Sequence, residues 1–171
     1  MAIDALVKPF LRLPLFQGLK PLQLTEIVRR ADRIVYRAGD VIIQEDKPGE
    51  AAIVIVSGEA VRTSLADGNT AESVPEGSMV GELAMLIEII HSSTVIARGP
   101  VRALRLTRDE MHALMSEDPL LADHLTQKIS ARLHRLAAEL QEIDQALADI
   151  ATFETGSHIT HQKPATGFAL H

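Results

Sequence analysis

The sequence of 171 residues contains no cysteine. This absence excludes disulfides, cysteine-ligated zinc, iron–sulfur clusters and thiol nucleophiles, and it is consistent with a reducing compartment. The sequence also has no stretch of about eighteen uncharged apolar residues, the length that a membrane-spanning helix needs. We therefore expect a cytoplasmic protein without a membrane partner.

Positive charge is scarce as well. The chain has 17 Lys and Arg residues against 23 Asp and Glu residues, which gives a net charge of −6 at pH 7. An acidic chain gains no general attraction to phosphate backbones or anionic lipids. Its composition of 46% hydrophobic and 23% charged residues is that of a globular protein. The length suits one domain with a sizeable core.

Hydrophobic patterning divides the chain into three zones. Residues 1–30 have an apolar spacing near 3.6 with Pro21 in a first turn, which predicts helices. Residues 32–107 contain short β-branched runs separated by glycine or proline turns, which predicts an antiparallel sandwich or barrel. The expected strands are 33–36, 41–44, 52–56, 60–65, 70–74, 93–97 and 101–106. Residues 81–86 break this pattern and predict a short helix inside the strand zone.

The third zone is helical again. Thr107 is predicted to cap a helix with Asp109 and Glu110 in its first turn, and a longer helix follows Pro119. Six apolar residues along this helix step alternately by three and four, the spacing of a heptad seam: Leu133, Leu136, Leu140, Ile143, Leu147 and Ile150. The seam predicts a homodimer, and a helix packed on its own domain is the alternative. Residues 151–171 are polar and unpatterned, and we expect a mobile tail.

The segment from residue 76 to residue 97 carries the best candidate for a binding site. Gly81 lets the backbone turn sharply and approach a ligand. A helix that opens at Glu82 presents backbone N–H groups to an anion, and its carboxylate can accept a hydrogen bond from a sugar hydroxyl. His91 and Ser92 add donors where the chain re-enters a strand. Each feature alone is common in structural helices and strand edges, whereas their order and spacing together indicate a site for phosphate and ribose.

Residues 81–85 (Gly-Glu-Leu-Ala-Met) and 91–97 (His-Ser-Ser-Thr-Val-Ile-Ala) resemble the phosphate-binding cassette of cyclic-nucleotide-binding domains. That family includes catabolite activators, kinase regulatory subunits and cyclic-nucleotide-gated channels. The resemblance implies a mainly β fold with flanking helices, an antiparallel β-roll of the double-stranded β-helix or jelly-roll type. The roll would occupy residues 31–118, after an N-terminal helical segment at 1–30 and before a long dimerisation helix at 119–150.

The resemblance also implies a role for each site residue. Glu82 would accept a hydrogen bond from the ribose 2′-hydroxyl. The amides of Leu83 and Ala84 would hold the cyclic phosphate, with Ser92 donating beside them. The ligand would be cyclic AMP or cyclic GMP, and no other cofactor is implied. The predicted ligand-binding residues are Gly81, Glu82, Leu83, Ala84, His91 and Ser92.

Two positions depart from the family pattern. The family has arginine where this chain has His91, and losing a charge-assisted hydrogen bond costs about 1.5–3 kcal/mol, or about ten- to a hundred-fold in affinity. A neutral imidazole still donates one hydrogen bond, so binding would be weakened or re-targeted. Ala137 and Ala138 stand where activators have the Thr-Ser pair that caps adenine, which leaves base selectivity open. Arg98 and Arg102 are close in sequence, and their reach to the pocket is left open.

Two functions are consistent with these features. One is a regulatory module that binds a cyclic nucleotide and signals through its C-terminal helix, with a possible protein partner. The other is a ligand-free scaffold for dimerisation or partner docking. The residues after Ile150 lack helical pattern and positive charge, so we expect no direct DNA binding. We also predict neither a metal site nor an enzyme, because only His91 lies in the strand zone and no nucleophile–base pair occurs.

Overall fold

The computed structural model describes residues 3–65, 68 and 70–156 of the chain. The helices are α1 (Ile3–Arg12), α2 (Pro21–Arg30), α3 (Arg108–Glu117) and α4 (Pro119–Gly156), and a single turn of 3-10 helix spans Glu82–Met85. The strands are β1 (Asp32–Tyr36), β2 (Val41–Ile43), β3 (Pro48–Gly49), β4 (Ala51–Ser57), β5 (Ala60–Thr63), β6 (Glu72–Val74), β7 (Met79–Val80), β8 (Ile89–Ile90), β9 (Thr94–Ala97) and β10 (Val101–Thr107). The described residues fall into two compact units, which divide between Lys128 and Ile129.

The first unit begins with the two N-terminal helices that the apolar spacing predicts. Helix α1 buries Phe10, whose ring lies 5.2 Å from that of Phe16, measured between the ring centroids. Helix α2 starts at Pro21, a position that needs no N–H donor, and buries one apolar face. Phe10 on α1 and Phe16 in the turn that follows it are the largest fully buried side chains.

The strands form two four-stranded antiparallel sheets and one short ribbon. The first sheet has the order β1-β10-β4-β7, the second has the order β2-β9-β5-β6, and the ribbon pairs β3 with β8. The two sheets enclose a shared apolar core that consists of Ile43, Ile53, Ile55, Ala60, Val74, Val80, Val95, Ala97, Val101 and Ala103. The prediction of a mainly β fold with flanking helices is therefore confirmed.

All seven strands predicted from the sequence are present, with ends that differ by one or two residues. Strands β3, β7 and β8 were not predicted, because two residues are too few to show an alternating pattern. The short helix predicted at 81–86 is present as the 3-10 turn at Glu82–Met85.

Helices α3 and α4 follow the strands directly. The predicted cap is confirmed, since the backbone N–H of Glu110 donates to the Thr107 hydroxyl at 3.3 Å. Asp118 separates the two helices and accepts from the amides of Leu120 and Leu121 at 3.0 and 3.1 Å. A hydrogen bond from the Gln23 side chain, followed by the bond from the Leu121 amide, lowers the pKa of the Asp118 carboxyl.

The second unit contains the part of helix α4 that follows Lys128. Every residue from 131 to 150 is exposed, including the six apolar residues of the predicted seam. The helix continues to Gly156, beyond the end expected near residue 150, and residues 157–171 of the predicted tail lie outside the described part of the chain. None of the described helices combines the length and apolarity that crossing a membrane requires.

Candidate functional site

The candidate cassette begins at a left-handed glycine. Gly81 has φ of 67° and ψ of 28°, a conformation that other residues adopt at a cost. It caps the 3-10 turn, and its carbonyl accepts a hydrogen bond from the amide of Ala84 at 2.9 Å. The turn ends when the amides of Leu86 and Ile87 both donate to the Leu83 carbonyl, at 3.0 and 2.9 Å. The chain therefore presents a single tight loop at this point.

The apolar side of this loop is anchored in the core. Ala84 and Met85 are fully buried, and Leu86 is almost so. The Nε2 atom of His112, on helix α3, lies 2.9 Å from the Leu86 carbonyl oxygen. Because a carbonyl only accepts, His112 must donate through its Nε2–H. This hydrogen bond connects the end of the cassette directly to helix α3, and nothing in the sequence pattern indicated it.

A short two-stranded ribbon braces the second half of the cassette. Strand β8 pairs with β3, and the amide of His91 donates to the Lys47 carbonyl at 2.9 Å. The His91 carbonyl in turn accepts from the amide of Asp46, also at 2.9 Å. Asp46 has φ of 62°, the left-handed region that Asp and Asn tolerate better than other non-glycine residues. The backbone on both sides of His91 is thus fixed by hydrogen bonds.

The imidazole of His91 lies between two glycines of the site. A Cβ atom placed on Gly49 would lie 2.9 Å from both Cε1 and Nε2 of His91, and 2.7 Å from the Ala84 Cβ. A Cβ atom on Gly81 would lie 3.3 Å from His91 Cε1. The absence of a side chain at Gly49 therefore makes room for His91 beside the loop. The sequence marked Gly49 only as a turn residue, so its contact with the site was missed.

Burial lowers the pKa of His91 below its ordinary value of 6.5. Desolvation penalises the imidazolium form, so the ring of the free protein is neutral at pH 7. A neutral ring offers one N–H donor to a ligand oxygen and no fixed charge. This is the main chemical difference between His91 and the arginine of the family pattern.

The remaining predicted site residues lie on the same loop and its exit strand. Glu82 and Leu83 are half-buried, while Ser92 is exposed beside His91. The Ala84 amide already donates to Gly81, so a phosphate would have to share or displace that bond. The structure thus brings Gly81, Ala84 and His91 into one locality around Gly49, with Glu82 and Leu83 on the intervening turn.

The two arginines close to the cassette in sequence are engaged elsewhere. Arg98 lies 3.4 Å from the Glu59 carboxylate, and its amide donates to the Glu59 carbonyl at 3.0 Å. Arg102 is exposed on strand β10 and lines a surface groove with residues of β1 and with Leu6. Neither arginine supplies the charge that His91 lacks. Among the described residues, no group of three His, Asp or Glu side chains comes together as a metal site.

The family model of the cyclic nucleotide-binding domain matches residues 33–118. The cAMP-dependent protein kinase regulatory subunit of Aspergillus fumigatus is 35% identical over 102 residues, which cover 60% of this chain and 25% of that protein. A cyclic nucleotide-gated potassium channel of Mesorhizobium japonicum is 36% identical over 110 residues, which cover 64% of this chain and 30% of the channel. The chain therefore spans about a quarter of the length of the kinase regulatory subunits that it matches.

Solved structures support the same assignment. The catabolite activator protein of Thermus thermophilus has a TM-score of 0.61 at 27% identity and covers 77% of this chain, with 63% of its own chain matched. The regulatory domain of Toxoplasma gondii protein kinase A, solved with cAMP, has a TM-score of 0.60 at 25% identity, covering 66% of this chain and 44% of that one. These neighbours confirm the predicted β-roll with flanking helices and a long C-terminal helix. The chain belongs to the cyclic nucleotide-binding domain family, a family of regulatory rather than catalytic modules.

Proposed function

We propose that this chain is a regulatory module that binds cyclic AMP or cyclic GMP in the loop from Gly81 to Ser92 and signals through its C-terminal helices. One observation carries the proposal: the imidazole of His91 lies beside the left-handed Gly81 and against Gly49. The donor at the family's arginine position is therefore held at the loop that would take the phosphate. The module works in the cytoplasm.

Glu82 supplies specificity for the sugar. Its carboxylate lies at the first position of the 3-10 turn, next to the amides that would hold the phosphate. A carboxylate accepts hydrogen bonds only, so it recognises the 2′-hydroxyl of a ribose and would repel a second phosphate. The ligand class that fits both groups is a nucleoside 3′,5′-cyclic monophosphate.

The hydrogen bond between His112 and the Leu86 carbonyl provides a route for the signal. A ligand that reorders the loop would change the position of Leu86, and the Leu86 carbonyl is hydrogen-bonded to His112 in the middle of helix α3. Helix α3 leads to α4 through Asp118, which caps α4. The binding free energy that favours one loop conformation therefore also favours one position of these helices. A homodimer through the α4 seam would pass this change to a second copy.

The test is calorimetric titration of the full chain with cyclic AMP and cyclic GMP at pH 6 and pH 7.5. Glu82→Ala should abolish saturable binding, because the ribose hydroxyl loses its acceptor, while Glu88→Ala should leave binding unchanged. Glu88 is the matched control, since it is an exposed carboxylate of the same segment. Unchanged affinity in the Glu82→Ala variant would contradict the assigned role.

A ligand-free scaffold is the second candidate function. The lowered pKa of His91 favours it, because a neutral imidazole holds a phosphate less firmly than an arginine does. This function predicts no heat from either nucleotide at either pH, even at millimolar concentration, together with protein binding through α4. Saturable binding of either nucleotide excludes it.

A further inference from the structure

The outer face of the first sheet carries a groove beside helix α1, which we call the β1–β10 groove. It has a volume of about 260 Å³. Its lining combines aliphatic and basic side chains from α1, β1, β4 and β10, and includes Leu6, Arg33, Val35, Val56, Arg102 and Leu104. None of the lining residues belongs to the loop from Gly81 to Ser92. The groove is therefore a surface separate from the proposed nucleotide site.

The register of β1 and β10 determines which side chains face the groove. Arg33 pairs with Leu104, and Val35 pairs with Arg102. Directly paired residues present their side chains on the same face of a sheet, so these four side chains lie together. Leu104 is buried together with Leu6 of α1, whereas Val35 is 68% exposed. The groove therefore has an aliphatic floor that is partly open to water.

Two arginines without a protein partner stand at the rim of the groove. Arg33 and Arg102 are exposed, and neither guanidinium has a hydrogen-bond or ion-pair partner among the described residues. Three other arginines of the roll each lie 3.2–3.4 Å from a carboxylate: Arg62, Arg98 and Arg105. Diagonal neighbours on one face of a sheet are about 7–8 Å apart, so the two positive charges at the rim oppose each other. An anion that binds both of them removes this repulsion.

The chemistry and the size of the groove indicate its occupant. The aliphatic floor suits an apolar side chain, and guanidinium groups at the rim suit carboxylates, which they bind through paired N–H donors. Pockets for small molecules typically measure about 300–1,000 Å³, so this groove is better matched to one anchoring side chain of a protein. An anionic membrane would also face the other carboxylates of a chain with net charge −6, whereas a short acidic segment meets the arginines alone.

We propose that the β1–β10 groove binds an acidic segment of a partner protein. A leucine-like side chain of that segment enters the groove over Val35 and Val56, and carboxylates on either side of it bind Arg33 and Arg102. The interface is a transient one, because a single anchor buries far less than the roughly 1,600 Å² of a standard protein–protein interface. The proposal goes beyond the proposed function and does not rest on nucleotide binding.

Fluorescence anisotropy with synthetic peptides tests the chemistry of the occupant. The probe is the fluorescein-labelled peptide Gly-Glu-Glu-Leu-Glu-Glu-Gly, titrated with the full chain at 50 mM and at 150 mM NaCl. We expect saturable binding that weakens with salt, because exposed charge pairs are screened. A peptide with alanine in place of the leucine should bind about ten-fold more weakly, since it lacks the apolar anchor. A peptide with glutamine in place of the four glutamates should also lose about ten-fold.

Variants of the chain test the location of the site. Combining Arg33→Glu with Arg102→Glu should weaken peptide binding by ten-fold or more at 150 mM NaCl. The matched control combines Arg62→Glu with Arg98→Glu, which changes the net charge equally at the second sheet and should change affinity by less than about two-fold.

A second variant tests the aliphatic floor. Val35→Asp places a carboxylate in the groove and should abolish binding of the glutamate–leucine peptide. Val41→Asp, at a valine that is 51% exposed on β2, is its control and should bind like the unsubstituted chain.

The other outcomes overturn the proposal in distinguishable ways. Absence of saturable peptide binding at about 1 mM protein and 50 mM NaCl would overturn it, and equal weakening by the two double variants would exclude the groove as the site. Phosphatidylglycerol vesicles that bind the chain only when Arg33 and Arg102 are intact would assign the groove to a membrane. Self-association with the same requirement would assign it to a second copy. Calorimetry of the same variants with cyclic AMP and cyclic GMP reports nucleotide binding separately.

Discussion

The central strand β4 and the cassette from Gly81 to Ser92 use the same apolar residue types in different ways. In β4 five consecutive residues from Ala51 to Ile55 are buried, so both faces of the strand are packed. The cassette buries Ala84 and Met85 on one side only, and it leaves Glu82, His91 and Ser92 half-buried or exposed on the other. We therefore expect β4 to contribute mainly to the stability of the fold and the cassette to contribute mainly to ligand binding.

The two regions differ in how their positions are specified. Strand β4 is held by ladder hydrogen bonds to β10 and β7 and by apolar packing. The cassette is held by backbone hydrogen bonds to the segment 46–49, by one side-chain hydrogen bond from His112 and by a close approach at Gly49. Substitutions in β4 should therefore change the free energy of unfolding, whereas substitutions in the cassette should change ligand affinity.

The largest effect is expected at Ile55, which is fully buried between the two sheets. Ile55→Ala removes buried methyl groups and leaves a cavity, so the free energy of unfolding should fall by about 2–5 kcal/mol. Denaturant titration measures this change. Nucleotide affinity of the folded fraction should stay unchanged, because Ile55 belongs to the core cluster and is not among the proposed ligand-binding residues.

Val35→Ala is the control for this comparison. Val35 is 68% exposed on strand β1, so its truncation should alter the free energy of unfolding by less than about 0.5 kcal/mol. Equal destabilisation by the two variants would show that burial in this sheet does not determine stability.

The largest gain in affinity is expected at His91. His91→Arg restores a fixed charge and a fork of donors, so we expect binding at pH 7.5 to tighten by about ten- to a hundred-fold. His134→Arg, at an exposed position of α4, controls for the added charge. Calorimetry of both variants measures the difference. No tightening in the His91→Arg variant would mean that this position does not meet the phosphate.

The same residue gives a pH dependence with a defined sign. Burial lowers the pKa of His91 in the free protein, and a bound anion raises it. Affinity should therefore rise as the pH falls through the pKa that His91 has in the complex. It should level off below the pKa of His91 in the free protein, which lies under 6.5. The His91→Arg variant should show no such rise, because arginine stays charged throughout.

A smaller effect is expected at Gly49, which lies in β3 and approaches Ala84 and His91 of the cassette. Gly49→Ala forces a Cβ to within 2.7 Å of the Ala84 Cβ and 2.9 Å of the His91 ring, so the loop or the ring must move. Overpacking of this kind costs about 1–3 kcal/mol of stability and should also weaken ligand binding. Gly99→Ala is the matched control, because no atom lies within 4 Å of its added Cβ. Full affinity in the Gly49→Ala variant would show that the His91 position is not required.

The sequence predicts the parts of the fold that have periodic patterns. Seven strands, the Thr107 cap and the short turn after Gly81 follow from alternation and turn chemistry. Strands β3 and β8 have two residues each, too few to show a periodic pattern. Their pairing nevertheless lies next to the backbone hydrogen bonds that fix the position of His91. The contacts of His91 with Gly49 and of His112 with Leu86 join residues far apart in sequence, so they depend on tertiary packing that no local pattern encodes.

The smallest effect concerns the junction between β10 and α3. Thr107→Ala removes the hydroxyl that accepts from the Glu110 amide, which should cost about 1 kcal/mol of stability. Thr107→Ser keeps the acceptor and should recover most of that loss, as measured by denaturant titration of the two variants. Because α3 also holds Leu86 through His112, a frayed α3 would loosen the cassette. A decrease in nucleotide affinity with Ala but not with Ser would therefore support the connection from cassette to helix, whereas equal affinities would limit the role of Thr107 to stability.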